Sequence, residues 1–220
     1  MQLIERVLAA YGLTESSITA EAFGSGLINH TWKVTSGDHV YILQRVNDVV
    51  FKQPEDIARN IEQVAAYLKQ QHPAYNFTAP VTALNGSTIV YNKEEGYFRM
   101  FPFVRGSLSK DVVETAEQAY EAAVQFGRFT KLLSGFDCHQ LKITIPSFHD
   151  LSLRYQQFLT ALENGNRQRI QESEKLISKL IGFSAIADEY SRIISDPSFK
   201  LRVTHHDTKI SNVLFDEKGK

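Results

Sequence analysis

Residues 204–216 read THHDTKISNVLFD. His205, Asp207, Lys209 and Asn212 stand on a short polar segment between two apolar runs, Phe199–Val203 and Val213–Phe215. The pattern predicts a loop between two short strands, the kind of place from which a rigid scaffold delivers side chains to a substrate. An Asp on such a loop can orient or deprotonate a hydroxyl. An Asn five residues later offers the hard oxygen that suits Mg²⁺. A Lys two residues after the Asp can meet a phosphate charge as it moves. A base, a metal ligand and a cation together suit phosphoryl transfer, where catalysis is mostly positioning and charge stabilisation.

The composition sets bounds on what surrounds this loop. The chain has 220 residues, room for one large domain or two small ones. It is 43% hydrophobic and 22% charged, a balance that excludes disorder over most of its length. Lys and Arg number 24 against 25 Asp and Glu, so bulk charge gives no reason to expect nucleic acid or an anionic membrane as partner. Cys138 is the single cysteine, which excludes an intrachain disulfide framework and fits a reducing, cytoplasmic setting. No run approaches the ~18 apolar residues of a membrane span. The opening MQLIERVLAAYG places Leu3, Ile4, Val7, Leu8 and Tyr11 on one helical face and stops at Gly12. Glu5 and Arg6 interrupt the apolar core that a secretion signal needs.

Working inward from that helix, β-branched and aromatic runs at 18–23, 31–34 and 40–46 predict an antiparallel meander. Gly24-Ser25-Gly26 lies between the first and second runs. Pro54 suits a first helical position, and Ile57, Ile61, Val64, Ala65 and Leu68 continue at helical spacing to Lys69. Two more strands follow, at 87–91 and 97–104. Arg105-Gly106-Ser107 reads as a linker, after which helices are expected at 115–133, 149–164, 168–180 and 185–194. The expected fold class is α+β and two-lobed: residues 1–104 as an antiparallel sheet with a helix laid on it, residues 105–220 as a mainly helical lobe bearing the polar loop.

His205-x-Asp207-x-x-x-x-Asn212 resembles the catalytic loop shared by protein kinases and small-molecule kinases of the aminoglycoside-phosphotransferase type. Gly24-x-Gly26-x-x-Asn29 resembles their Gly-rich loop in part, with Asn29 where a third Gly would stand. GSGLINHTWKV, YILQRVN, FRMFPFVRGS, IPSFHD and HHDTKISNVLFD together look like the N-acetylhexosamine 1-kinases within the aminoglycoside-phosphotransferase and choline-kinase superfamily, over residues 24–216. That resemblance implies a protein-kinase-like fold, ATP and Mg²⁺ as cofactors, and the anomeric hydroxyl of an amino sugar as acceptor.

The same resemblance implies roles for individual residues. Asp207 matches the catalytic base, Asn212 a Mg²⁺ ligand, and Lys209 a cation for the transferring phosphoryl group. His205 reads as a residue that holds the loop, and His206 stands where protein kinases have an Arg. Gly24 and Gly26 would lay backbone N–H groups over the nucleotide phosphates. Protein kinases carry a Lys on the third strand. Here Gln44 aligns with it and Arg45 follows, so Arg45 reaches the phosphates only if the strand is bulged or shifted by one; otherwise it is a surface arginine. Glu62 is a candidate partner for that cation. Phe101 and Phe103 flank Pro102, which has no N–H, so one of them would donate to adenine. Asn29 and His30 are candidates for contact with the acceptor sugar or the phosphates. Asp150, in the F-H-D segment with His149, reads as a helix N-cap.

The family's second metal-binding Asp lies on a return strand roughly fifteen residues past the catalytic loop. Here Asp216-Glu217-Lys218-Gly219 opens a hairpin and Lys220 follows. The sequence therefore reads as the N-terminal part of a longer kinase, its helical lobe truncated. A pseudokinase that holds nucleotide or a partner without turnover is the alternative class, supported by the missing Asp and opposed by the intact polar loop.

Overall fold

The structure is a computed structural model that describes residues 2–24 and 28–219. Its first element is the amphipathic helix α1 (Gln2–Ala10). Strands β1 (Thr19–Ala22), β2 (His30–Ser36) and β3 (His39–Val46) form the expected meander. Helix α2 (Pro54–Gln71) carries Pro54 in its first turn, where its missing N–H costs nothing. Strands β4 (Val90–Asn92) and β5 (Gly96–Pro102) close a hairpin whose turn is held by Asn92: its side-chain oxygen accepts from the N–H groups of Glu94 and Glu95. The sheet is antiparallel throughout, in the order β1-β2-β3-β5-β4.

Side chains alternate across a strand, so the register decides which residues share a face. Val34, Leu43, Phe98 and Met100, none more than 1% exposed, lie on one face and pack against Val7, Leu8 and Tyr11 of α1 and its end. Each such fully buried apolar side chain contributes about 1.5–3 kcal/mol. The Tyr11 hydroxyl donates to the Phe98 carbonyl at 3.4 Å, and burial pushes its pKa well above the ordinary 10. The folded state therefore holds this proton at a pH where the unfolded chain releases it. The resulting stability is complete below pH 10 and drains away as pH climbs through the alkaline range. We expect the urea midpoint to fall more steeply above pH 10 in the wild type than in Tyr11→Phe; equal slopes would show that Tyr11 is not the linked group.

Beyond the sheet come β6 (Leu108–Ser109) and α3 (Ala116–Leu132). Thr115 caps α3 by accepting from the Gln118 N–H. A second core joins α2 to the end of α3: Val64, Leu68, Leu133 and Val203 are buried together, with Tyr67 and Phe129 against them. Strand β7 (Leu214–Phe215) pairs antiparallel with β6.

Residues 1–144 and 202–220 form one compact unit and residues 145–201 another. The second unit holds α4 (Leu151–Asn164), α5 (Arg167–Glu172), α6 (Glu174–Ile181) and α7 (Ser184–Ser195). The single helix expected over 168–180 is broken at Ser173, which ends α5 and begins α6. Within this unit α4 packs on α7, Ala187 is buried, and Ser152 hydrogen-bonds Ser191 at 2.8 Å. Large apolar side chains such as Leu176, Phe183 and Ile186 stay exposed. Among the described residues no helix is long and apolar enough to cross a membrane.

The strand expected at 199–203 does not form; the segment is irregular. A strand exists through its partner, and among the described strands none pairs with it. Only Val203 of the run is buried, so its apolar character reflects one core contact, not a ladder.

Candidate active site

The loop of residues 204–212 is exposed, but both of its ends are pinned. Val203 sits in the core shared by α2 and α3. Val213 and Phe215, at 8% and 1% exposure, pack on Ala122 of α3 beside Phe126 and Ile210. The His205 ring lies 5.2 Å from that of Phe126 and 6.2 Å from that of Phe129, so it holds the loop against the same helix. His206 has φ of 60°, a left-handed conformation uncommon for a residue with a side chain, and the chain turns there immediately before Asp207. Such strain is maintained only where the surroundings over-determine it, and it clusters at functional sites.

Three of the four polar residues meet. One turn of 3₁₀ helix, Ile210–Asn212, folds Asn212 back toward Asp207. The Asn212 Nδ2 donates to the Asp207 carbonyl and to its Oδ2, both at 2.8 Å. The Lys209 Nζ lies 3.6 Å from the same Oδ2, with both side chains 60% exposed. Asp207 is thereby oriented through one carboxylate oxygen, leaving Oδ1 to accept a proton from a hydroxyl. With its amide nitrogen committed, Asn212 has its carbonyl oxygen to offer a hard cation. Among the described residues no cluster of three or more His, Cys, Asp or Glu could hold a metal. The carboxamide oxygen of Asn212 is the donor this loop keeps free for Mg²⁺, which retains several waters and shares itself with substrate phosphates.

The sheet brings together a different set from the one the sequence suggested. His30 pairs with Arg45, and Arg45 with Phe98, so both lie on the face that α1 covers. Arg45 is ion-paired there with Glu95 at 2.7 Å. Gln44 points to the opposite face, between Thr31 of β2 and Arg99 of β5. Glu62 accepts from the Thr88 hydroxyl at 2.5 Å and is paired with neither arginine. The Asn29 side-chain oxygen accepts from the Asn47 N–H at 3.1 Å, which ties the turn before β2 to the loop after β3. Gly24 has φ of 80° with open space where a Cβ would stand, as a sharp turn requires. Gly26 lies outside the described residues.

The face opposite α1 carries Phe23, Ile42, Phe101 and Phe103, all partly or well exposed. Phe23 meets Phe103 edge-on at 6.1 Å. The Phe103 N–H donates to the Val40 carbonyl at 3.0 Å, and hydrogen-bonded pairs recur every second residue along the ladder, so Phe101 faces β3 in the same way. Neither N–H is left for adenine; what these residues offer is their rings. Two cations that the sequence reading passed over share this face. The Lys33 Nζ lies 5.1 Å from the Phe103 ring centre, and the Arg99 guanidinium 5.2 Å from that of Phe101. A lone arginine in the run YFRMFPFV was the signal for Arg99, and it acquires meaning only once the register is known.

The F-H-D segment has a structural account. The Asp150 Oδ1 accepts from the Leu153 N–H at 3.0 Å, the N-cap read from the sequence. Arg154 returns from α4 to donate to the carbonyls of Phe148 and Ser147.

A five-stranded antiparallel sheet, a helix after its third strand and an H-x-D-x-x-x-x-N loop seated on a helix define a kinase-like phosphotransferase fold. Solved structures share it. Spectinomycin phosphotransferase, in complex with ADP and spectinomycin, is 15% identical with a TM-score of 0.61 over 99% of this chain and 66% of its own. A microcompartment-associated aminopropanol kinase is 18% identical with a TM-score of 0.61 over 98% of this chain and 65% of its own. An aminoglycoside phosphotransferase from Alicyclobacillus acidocaldarius gives 15% and 0.61 over 97% and 63%. The chain thus spans about two thirds of the length of these proteins. It matches the phosphotransferase enzyme family over residues 19–220 and belongs to that family.

Proposed function

We propose that this chain forms the nucleotide-binding and catalytic part of an ATP- and Mg²⁺-dependent cytoplasmic kinase for a small molecule, with the anomeric hydroxyl of an N-acetylhexosamine or related sugar as acceptor. The observation that carries the proposal is the Asp207–Asn212–Lys209 cluster: one carboxylate oriented by an amide that keeps its own oxygen, with an ammonium beside it. Residues 1–104 act as the nucleotide lobe, and residues 105–220 bring the catalytic loop. The Oδ1 of Asp207 takes the proton of the acceptor hydroxyl as its oxygen attacks the γ-phosphorus. The bond to the bridging oxygen breaks and ADP leaves. Lys209 meets the charge on the phosphoryl oxygens in transit. The Asn212 oxygen is the ligand this loop would provide to Mg²⁺, which would supply neutralisation of phosphate charge.

ADP bound in spectinomycin phosphotransferase supports nucleotide use in this fold. The sugar acceptor rests on the segments GSGLINHTWKV, YILQRVN, FRMFPFVRGS, IPSFHD and HHDTKISNVLFD. The aromatic face of Phe23, Phe101 and Phe103 suits a purine base. The test is incubation with ATP and Mg²⁺ against a panel of N-acetylhexosamines, plain hexoses, aminoglycosides and amino alcohols, followed by phosphorus NMR. A sugar 1-phosphate resonance formed together with ADP is the expected product. Transfer confined to an aminoglycoside or an amino alcohol would overturn the acceptor assignment, and no ATP turnover with any acceptor would favour the pseudokinase.

A further inference from the structure

We infer that Arg99 on β5, braced by Gln44 on β3, is the cation that holds the nucleotide phosphates, a role that protein kinases give to a lysine on the third strand. The inference rests on the reading of the chain as a nucleotide-binding kinase. At the third-strand position this chain has Gln44, which carries no charge. Arg45, the neighbouring candidate, is separated from it by the sheet itself: successive residues of a strand face opposite ways, and Arg45 lies on the α1 face in an ion pair with Glu95.

Arg99 is the direct cross-strand partner of Gln44, and so projects from the same face at a distance of one strand spacing. Its Nε donates to the Gln44 Oε1 at 3.1 Å, while the Gln44 Nε2 donates to the Thr31 hydroxyl at 3.4 Å. The glutamine thus spans three strands and fixes the plane of the guanidinium. With Nε committed, both terminal nitrogens remain, the pair that matches two phosphate oxygens. Among the described residues Arg99 has no carboxylate partner, and burial lowers its pKa from 12.5 to about 10, still fully charged near neutral pH. A half-buried cation without a counter-ion is costly unless an anion arrives. Its stack on Phe101 and the Lys33–Phe103 contact set this positive charge among the aromatic rings suited to a base, which makes the face complementary to a nucleoside polyphosphate.

The test compares ADP with adenosine, which differ in the phosphates alone, by titration of the wild type, Arg99→Met, Arg99→Lys, Arg45→Gln and the exchanged pair Gln44→Lys with Arg99→Gln. Thermal melts of each variant accompany the titrations. Loss of a charge-assisted contact predicts ADP affinity on the order of 10–100-fold weaker in Arg99→Met, with adenosine affinity unchanged. The exchanged pair returns the cation to β3 and should recover most of that loss. A structural role alone would weaken adenosine as much as ADP, and that result overturns the inference. So does loss of ADP binding in Arg45→Gln in place of Arg99→Met. If Arg99→Met does not fold, a folded exchanged pair or Arg99→Lys decides: retention of ADP binding supports the inference and its absence overturns it. A wild type that binds neither ligand overturns the nucleotide reading itself. A wild type that binds ADP, matched by Arg99→Met, overturns only the choice of cation.

Discussion

Asp207→Asn is expected to lower the rate of phosphoryl transfer by on the order of 10²–10⁴-fold, the range that a positioned general base contributes. The carboxamide is isosteric, and its oxygen can still accept from the Asn212 Nδ2, which now binds the Asp207 Oδ2 at 2.8 Å. What disappears is the basic oxygen and the charge facing Lys209 at 3.6 Å. Loop geometry is held from outside the cluster, by Val203, Val213 and Phe215 in their two cores, so the substitution removes chemistry and leaves the fold. Nucleotide affinity is expected to stay near that of the wild type, because binding and proton transfer draw on different groups. Measuring kcat alongside the ADP dissociation constant separates the two. Equal kcat in the variant would take the base role from Asp207. A parallel collapse of ADP affinity would show that the residue acts on nucleotide binding and not on the acceptor.

Asn212→Ala removes more contacts than Asp207→Asn does. It deletes two hydrogen bonds to Asp207 and the proposed metal-binding oxygen at once. Loss of a group that only orients a ligand already costs 10–100-fold in metal affinity or activity, and loss of the ligand is expected to cost at least on the order of that. The readout is the Mg²⁺ concentration for half-maximal turnover, which should rise steeply. Asn212→Asp separates the two duties of the residue. It keeps an oxygen for the metal but has no N–H to donate, and it sets a second carboxylate against Asp207. Mg²⁺ affinity is then expected to be retained while turnover falls, because the Asp207 carboxylate loses its N–H donor and no longer holds a defined orientation. A Mg²⁺ titration identical in wild type and Asn212→Ala would leave Asn212 as a brace for Asp207 and nothing more.

The elements legible from the sequence are those whose signals are local. Pro54 with its apolar stripe marked α2, and the β-branched and aromatic runs at 31–34 and 40–46 marked the β2–β3 hairpin. The H-x-D-x-x-x-x-N pattern stood out for the same reason, since its spacing is contained in one short segment. What escaped depends on partners distant in the chain. Strand β6 has two residues and exists only through β7, so no window of sequence could announce it. Residues 199–203 alternate like a strand but find no ladder. The break at Ser173 interrupts a continuous helical periodicity that gave no warning of it. The sharpest case is the pair Gln44 and Arg45. Alternation says that the two face apart, but which of them shares the α1 side is settled by the register of three strands and by the helix that covers that side. Arg99 follows from the same register and from nothing nearer in sequence.

The pairing of Leu108–Ser109 with Leu214–Phe215 also sets an order of events during synthesis. The sheet and α1 close through contacts within the first part of the chain, so they can assemble as soon as β5 has emerged from the ribosome. The loop bearing Asp207 gains its second anchor only when Phe215 arrives to pack with Ala122, because that contact joins segments separated by the whole intervening helical unit. Closing so long a loop carries an entropic cost that no contact offsets beforehand. The sheet face that carries Arg99 and Phe101 is therefore built well before the loop that carries Asp207 is anchored at both ends.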